Sequence, residues 1–220
     1  MRWKLSSFQI LVLATAALAI LTFCAAAIHH SFQVPDPVAI RVTGQPTLGS
    51  ADAKVEVVVF EDFMCDTCRY FSEEIFPKLH NRYVASGQIR YTFVPLAFID
   101  GSKPLANAAL AVYKIAPQKF WAYAHELFAF VEKHSFDGAE DKILLELADE
   151  VGGIDLFKLK NCIKTSCHAA ELEMNFSAAR DAMGKEFGTP ALFVNGIKTS
   201  PVDYKAIETR IDKALYLAEK

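Results

Sequence analysis

The sequence predicts an α/β protein in which a βαβ unit and a ββα unit are separated by a helical block, behind an apolar N-terminal segment. Three observations carry this reading. Two β-branched runs of strand length, 55–60 and 89–95, flank a stretch of helical periodicity. Residues 103 to 184 then hold no strand signal. Strand character returns at Pro190 and is followed at once by Asn195-Gly196 and a short fourth run, a strong local hairpin signal. With 220 residues, 52% hydrophobic and 22% charged, the chain has the apolar content of a packed domain and not that of a disordered one. Its net charge of −3, with no cluster of Lys or Arg, argues against a nucleic-acid partner, which needs such a cluster to neutralise phosphates.

At the amino terminus, Arg2 and Lys4 precede an uncharged run from Leu5 to Ile28 that includes Cys24-Ala25-Ala26-Ala27. A positive start, an apolar middle and small residues at the end make a secretory signal. The same run approaches the ~20 residues that cross a bilayer, so it also fits an uncleaved anchor through residues 5–28. Either way the positive end stays in the cytoplasm and the remainder lies outside it. A bacterial periplasm, where disulfides persist, is the expected compartment. Residues 29–47, with Pro35, Pro37 and Pro46, read as a tether carrying one short edge strand at 38–42.

Gly49 to Ala53 is a turn, and Val55 to Phe60 is apolar enough to be a central buried strand. From Cys65 to Tyr83 the pattern turns helical, with Phe71, Ile75, Leu79 and Tyr83 recurring every four residues, and Pro77 should kink that helix. Gly87 ends it and Ile89 to Pro95 forms a second strand. A crossover of this size makes the two strands parallel. Phe120 to Val131, Ile143 to Val151 and Leu172 to Met183 mark three amphipathic helices, the last two stopped by Gly152-Gly153 and Gly184. Asp155 and Ser166 look like N-caps. Pro190 to Val194 and Ile197 to Thr199 form the hairpin, and a last helix runs from about Val202 to Ala218. The expected partition is an export segment at 1–28, a tether at 29–47, an α/β domain from 48–100 with 186–220, and an inserted helical domain at 101–185.

The chemistry centres on Cys65-Asp66-Thr67-Cys68, placed where the central strand hands over to a helix. Unpaired N–H groups and the positive dipole end in a first helical turn stabilise a thiolate there. Cys68 lies about one turn on, so its sulfur reaches Cys65 and the pair can attack and resolve disulfides. Two other readings compete: half of a zinc site completed by Cys162, Cys167 and His168, and a purely structural bridge. Cys162 falls near the end of one helix and Cys167 follows the Ser166 cap, so their Cα atoms can approach within the ~4.4–6.8 Å of a structural disulfide. Cys24 lies in the export segment. The six histidines form no motif, and the aromatic stripe at 120–130 reads mainly as core.

Leu48-Gly49-Ser50-Ala51-Asp52-Ala53-Lys54-Val55, then Glu61 to Cys68, and far downstream Phe187-Gly188-Thr189-Pro190-Ala191-Leu192-Phe193-Val194-Asn195-Gly196, resemble the DsbA-like thiol–disulfide oxidoreductases. The resemblance covers roughly 48 to 218 and implies a thioredoxin-like fold interrupted by a helical domain. It implies that Cys65 is the nucleophile, Cys68 its buried partner, and Thr189–Pro190 a cis bond holding the Thr189 backbone against the dithiol to receive an extended substrate strand. A Pro opening a good strand independently invites a cis bond. It also implies no bound cofactor and no metal, cysteine-containing extracytoplasmic proteins as substrates, and a membrane redox partner that resets the dithiol.

The chain departs from that family in three places. Asp66 stands where most relatives have Pro, and its carboxylate is expected to oppose the Cys65 thiolate, so Asp66 and Thr67 are candidate tuning residues. Val59 stands where many relatives carry a buried acid, leaving the proton of Cys68 to Glu61 or to water. Thr189 replaces Val before the proline, and together the departures lean toward a less oxidising enzyme. The expected activity is thus the formation, reduction or isomerisation of protein disulfides; the competing class is an exported chaperone or metal carrier without catalysis.

Overall fold

The computed structural model describes residues 6–31, 36–41, 43–134 and 140–220. Arg2 and Lys4 of the export segment, Pro35 of the tether and Val42 lie outside them. The chain divides into two units at Asp36. The first holds one helix, α1 (Ser7–Ser31), which runs past the expected boundary at 28 and carries exposed Phe8, Leu11, Leu18, Leu21 and Phe23. By length and composition it suffices to cross a membrane.

The second unit is built on a five-stranded sheet of order β1-β3-β2-β4-β5, formed by β1 (Thr47–Gly49), β2 (Val55–Asp62), β3 (Ile89–Leu96), β4 (Ala191–Val194) and β5 (Ile197–Thr199). β2 and β3 pair in parallel, as a βαβ crossover requires, and the other pairings are antiparallel. β2 lies at the centre with both faces covered. Val57 and Val59 point into the larger core, and Val58 and Phe60 into a smaller one on the opposite face, the period-two alternation of a strand. Asn195 (φ 46) and Gly196 (φ 75) make the tight β4–β5 turn.

The edge strand is not the one the sequence suggests. Val38 to Arg41 are irregular, and their one backbone anchor to the hairpin is the Val38 N–H donating to the Gly196 carbonyl at 2.9 Å. Val38 and Ile40 are apolar because they pack on the smaller core and not because they form a ladder. The true edge is β1, antiparallel to β3 and beginning inside the stretch read as tether. Gly49 closes it at φ 93, where a Cβ would collide with the Ile89 carbonyl.

Between β2 and β3 runs α2, a continuous helical path over 66–84 whose Phe71, Ile75, Leu79 and Tyr83 are all buried. It widens to π turns at Phe71–Ile75 and His80–Val84. Pro77 accounts for the first of these: it has no N–H for the carbonyl four residues back, and its ring crowds that carbonyl, so the helix shifts register instead of ending.

Among the described residues, five α-helices lie between β3 and β4: α3 (Ser102–Ile115), α4 (Phe120–Lys133), α5 (Asp141–Val151), α6 (Leu156–Thr165) and α7 (Ala169–Met183). α8 (Tyr204–Ala218) closes the chain, its Asp203 cap accepting from the Ala206 N–H at 3.0 Å. Asp155 caps α6 in the same way, accepting from Lys158 N–H at 3.1 Å. Ser166 does not cap α7. It is the left-handed C-cap of α6 (φ 47), and its own N–H donates back to Ile163, so it ends one helix instead of starting the next.

Candidate active site

β2 delivers the site. Its last residue, Asp62, is followed by a turn that sets Cys65 at the N-cap of α2 in extended conformation, φ −93 and ψ 115. The Cys65 N–H donates to the Asp62 carbonyl at 3.0 Å, and the Cys65 carbonyl accepts from the Arg69 N–H at 3.0 Å, the first turn of the helix. Cys65 is half-buried and Cys68, one turn on, is fully buried; both are free thiols.

The two sulfurs differ electrostatically. The Cys65 thiol is lowered from 9.0 to about 6, chiefly by a hydrogen bond from Cys68, opposed by burial, and aided by the Thr189 side chain and the backbone N–H groups of Cys68 and Thr67. Cys68 moves well above the ordinary thiol value because it is buried and donates a hydrogen bond to Cys65, with the Glu61 charge pushing the same way. One sulfur is therefore a thiolate near neutral pH while the other keeps its proton.

The second wall of the site comes from the other half of the sheet. Thr189–Pro190 is a cis peptide bond at the entry to β4, and the Cys65 thiol donates to the Thr189 carbonyl at 3.3 Å. Thr189 is half-buried and Pro190 buried. Asp66 and Thr67 are both exposed. Thr67 acts on Cys65 through its backbone N–H, and the Asp66 carboxylate is not among the largest influences on that sulfur.

Two buried acids lie directly behind the dithiol. Asp62, fully buried, binds three backbone N–H groups: Met64 at 2.9 Å on Oδ1, and Phe98 at 3.0 Å and Ile99 at 3.2 Å on Oδ2. It ties the turn before Cys65 to the loop after β3. Sequence reasoning overlooked it, although a carboxylate ending an otherwise apolar buried strand is a signal in itself. Glu61 is 1% exposed; Oε1 accepts from the Tyr91 hydroxyl at 3.4 Å, and Oε2 has no partner. Burial raises its carboxyl well above the ordinary value, Tyr91 pulling against this and the Cys65 charge adding to it.

A buried thiol beside an ionised one, with a cis-proline backbone against it on a βαβ–ββα sheet, is the arrangement of a thiol–disulfide exchanger. A family model described as thioredoxin matches residues 41–213. Disulfide bond formation protein D of Bacillus subtilis is 31% identical over 176 residues, covering 79% of this chain and 78% of its own. This chain belongs to the DsbA-like thiol–disulfide oxidoreductases of the thioredoxin superfamily. Among solved structures, oxidised BdbD from Bacillus subtilis superposes with a TM-score of 0.75 at 29% identity, over 83% of this chain and 100% of that one. DsbA of Chlamydia trachomatis gives 0.73 at 28%, over 83% and 98%. Putative protein-disulfide oxidoreductases of Rickettsia are more distant relatives, one of them 29% identical over 168 residues, 76% of this chain. The helical segment between β3 and β4 is thus the insertion of the DsbA-like fold, and the enzyme is a thiol–disulfide oxidoreductase acting on cysteine-containing substrates.

Away from the dithiol, Cys162 and Cys167 are joined in a disulfide with Cα atoms 4.9 Å apart. The left-handed Ser166 makes this pairing, because it folds the chain back so that the Cys167 N–H donates to the Cys162 carbonyl at 3.1 Å. His168 brings a third candidate ligand within 4.8 Å of those sulfurs, but both sulfurs are spent in the bridge and the ring nitrogen Nδ1 lies 3.0 Å from Glu171.

Proposed function

We propose that this DsbA-like enzyme works outside the cytoplasm, in a periplasm, and forms disulfides in exported proteins, with Cys65 as the nucleophile and Cys68 as the resolving thiol. The observation that carries the direction is the lowered Cys65 thiol: stabilising the thiolate stabilises the reduced enzyme, so the oxidised enzyme gives its disulfide away readily. A substrate thiolate attacks the Cys65 sulfur of the oxidised pair, and a second substrate thiolate then releases Cys65. During the mixed disulfide, the Thr189 backbone beside Cys65 offers an edge for an extended substrate strand, with Pro190 fixing that backbone.

The apolar helix α1 supports export or anchoring through residues 5–28, with the tether leading to a thioredoxin-like domain at 48–100 and 186–220 and the inserted helical domain at 101–185. Cys162–Cys167 serves as a structural disulfide, in keeping with an oxidising compartment. Because each turnover leaves the dithiol reduced, a membrane redox partner resets it.

Equilibration of the Cys65/Cys68 pair with glutathione tests the direction. A potential above about −200 mV is expected, and one near the thioredoxin value of about −270 mV overturns it. Cys65→Ser is expected to abolish exchange with a cysteine peptide, and Cys68→Ser to trap the Cys65 mixed disulfide; the absence of both behaviours in these variants overturns the assignment of roles.

A further inference from the structure

The turn that joins α6 to α7 gathers donor groups that the exchange reaction leaves unused. Cys162 stands in the last turn of α6, Cys167 and His168 follow in the link, and Glu171 lies in the first turn of α7. A ring nitrogen of His168 is within 4.8 Å of both sulfurs. Two thiolates and an imidazole are ligands that suit zinc, whereas calcium and magnesium call for oxygen.

The histidine is oriented as a metal-bound one is. Its Nδ1 lies 3.0 Å from Glu171 Oε2, and a carboxylate only accepts, so the neutral ring carries its proton on Nδ1 and keeps the lone pair on Nε2. Glu171 is itself fixed, because its Oε1 accepts from Lys114 Nζ at 3.1 Å and from Gln45 Nε2 at 3.2 Å. It therefore stands behind the histidine and outside the ligand set. The backbone of the turn is held by groups other than the bridge. Buried Asn107 binds the His168 N–H and the Cys162 carbonyl, and the Cys167 N–H donates to that same carbonyl.

We propose that this turn is a redox-gated zinc site, closed while Cys162 and Cys167 are bridged and formed by Cys162, Cys167 and His168 when the bridge is reduced. Water takes the fourth position, and Glu171 positions His168. The site is independent of the chemistry assigned to Cys65 and Cys68. The reductant is a dithiol. Its first thiolate attacks the sulfur of exposed Cys167; that mixed disulfide forms, the Cys162–Cys167 bond breaks, and Cys162 leaves with the electron pair. The second thiolate of the reductant then releases Cys167, and the reductant departs as its own disulfide. Zinc binds the two thiolates, and any thiol protons go to solvent. Zinc–sulfur bonds of about 2.3 Å in a tetrahedral site put the sulfurs about 3.8 Å apart. With Cα atoms 4.9 Å apart, side-chain rotation reaches this while Asn107 holds the turn. Oxidation by a disulfide reverses the two-electron step, restores the bridge and expels the metal.

The test is zinc binding by full-length protein in detergent, carrying Cys24→Ser, Cys65→Ser and Cys68→Ser so that this turn alone supplies thiols. A phosphine reduces the bridge, and zinc retained after gel filtration is counted per chain. Cobalt in place of zinc reports the ligand set through its visible absorption. One zinc per chain is expected with the bridge reduced and none with it oxidised. His168→Ala is expected to weaken binding at least tenfold. Glu171→Gln is expected to weaken it about ten- to hundredfold with the cobalt spectrum unchanged, the behaviour of a residue that holds a ligand without being one. No zinc in the reduced chain, as much in the oxidised chain, or undiminished affinity in His168→Ala overturns the site. Unchanged affinity or an altered cobalt spectrum in Glu171→Gln overturns the positioning role. If the triple variant does not fold, Cys162→Ser in the otherwise unaltered, reduced chain replaces it: zinc content is expected to fall by one per chain, and an unchanged content overturns the site.

Discussion

The Cys65 sulfur lies 3.3 Å from the carbonyl oxygen of Thr189, a residue 124 positions away in sequence. That contact joins the two halves of an interrupted fold: β2 presents the nucleophile, β4 presents the edge beside it, and the sheet register between Val59 and Leu192 holds the two together. A thiol donating to a carbonyl is held protonated, so the low Cys65 value must be won elsewhere, and Cys68 is the largest contributor.

Thiolate absorbance of the reduced enzyme should therefore titrate with a midpoint near pH 6. Removing the largest contributor with Cys68→Ala should move the midpoint upward and reduce alkylation of Cys65 in mildly acidic buffer several-fold. A wild-type midpoint at the ordinary thiol value of 9.0 contradicts the hydrogen-bonded picture.

Asp66 offers a sharper comparison. A carboxylate next to the nucleophile in sequence is expected to raise its pKa, yet the side chain is exposed, where water and salt screen it. Asp66→Asn should shift the Cys65 midpoint by less than about half a unit. A larger downward shift, measured by the same absorbance titration, reinstates Asp66 as a tuning residue.

How much of this was legible in the sequence depends on what each element buries. β2, β3 and α2 follow from periodicity because each has a definite buried face. α3 was not marked as a separate helix because its buried run, Leu105 to Val112, is half alanine and carries few of the large side chains by which a helix face is recognised. Residues 38–42 misled because apolar side chains packing under a loop look like those of an edge strand, while the true edge, Thr47-Leu48-Gly49, is too short to carry a pattern. Ser166 is a favoured cap residue used in a left-handed turn, which local composition does not distinguish. The dithiol was readable from its spacing. The approach of Thr189 to Cys65 was not, and entered only through family resemblance, because no local rule joins residues so far apart.

Asp62 should matter to stability more than any other single site residue. Its buried carboxylate accepts three backbone N–H groups. Asp62→Ala removes the acceptor of all three at once, and a loss of about 1–3 kcal/mol is expected in urea unfolding. The same variant should slow peptide oxidation, since the turn before Cys65 and the loop at Phe98 lose their common anchor. A loss below about 1 kcal/mol means that the loops find other partners.

The Cys162–Cys167 bridge should contribute only modestly. It closes a loop with a sequence separation of 5, so the unfolded chain loses only modest freedom, worth about 2 kcal/mol. Asn107 already clamps the same turn, its Oδ1 accepting from the His168 N–H at 2.9 Å and its Nδ2 donating to the Cys162 carbonyl at 3.4 Å. The double variant Cys162→Ala/Cys167→Ala should therefore fold, keep its exchange activity, and unfold at lower urea. Loss of activity in folded protein indicates a role beyond stability.

Glu61 makes the opposite prediction, in which removing a charge strengthens the fold. Its folded pKa lies above the ordinary 4.5, because burial disfavours the carboxylate and the Cys65 charge acts in the same sense. The folded state therefore holds its proton more tightly than the unfolded chain does. Stability is fully retained below the unfolded value and declines as pH rises from there through the folded value. A neutral amide at this position carries no such liability. In urea unfolding with the dithiol kept reduced throughout, Glu61→Gln should match the wild type at about pH 4 and exceed it by about 1–3 kcal/mol at about pH 7.5. Tyr91, Cys65 and Cys68 also face this carboxyl, so repeating the comparison in a Cys65→Ser background separates the share due to the thiolate: the gap should narrow there and persist, because burial is its larger cause. A gap independent of pH implies that burial does not raise the Glu61 carboxyl above its value in the unfolded chain.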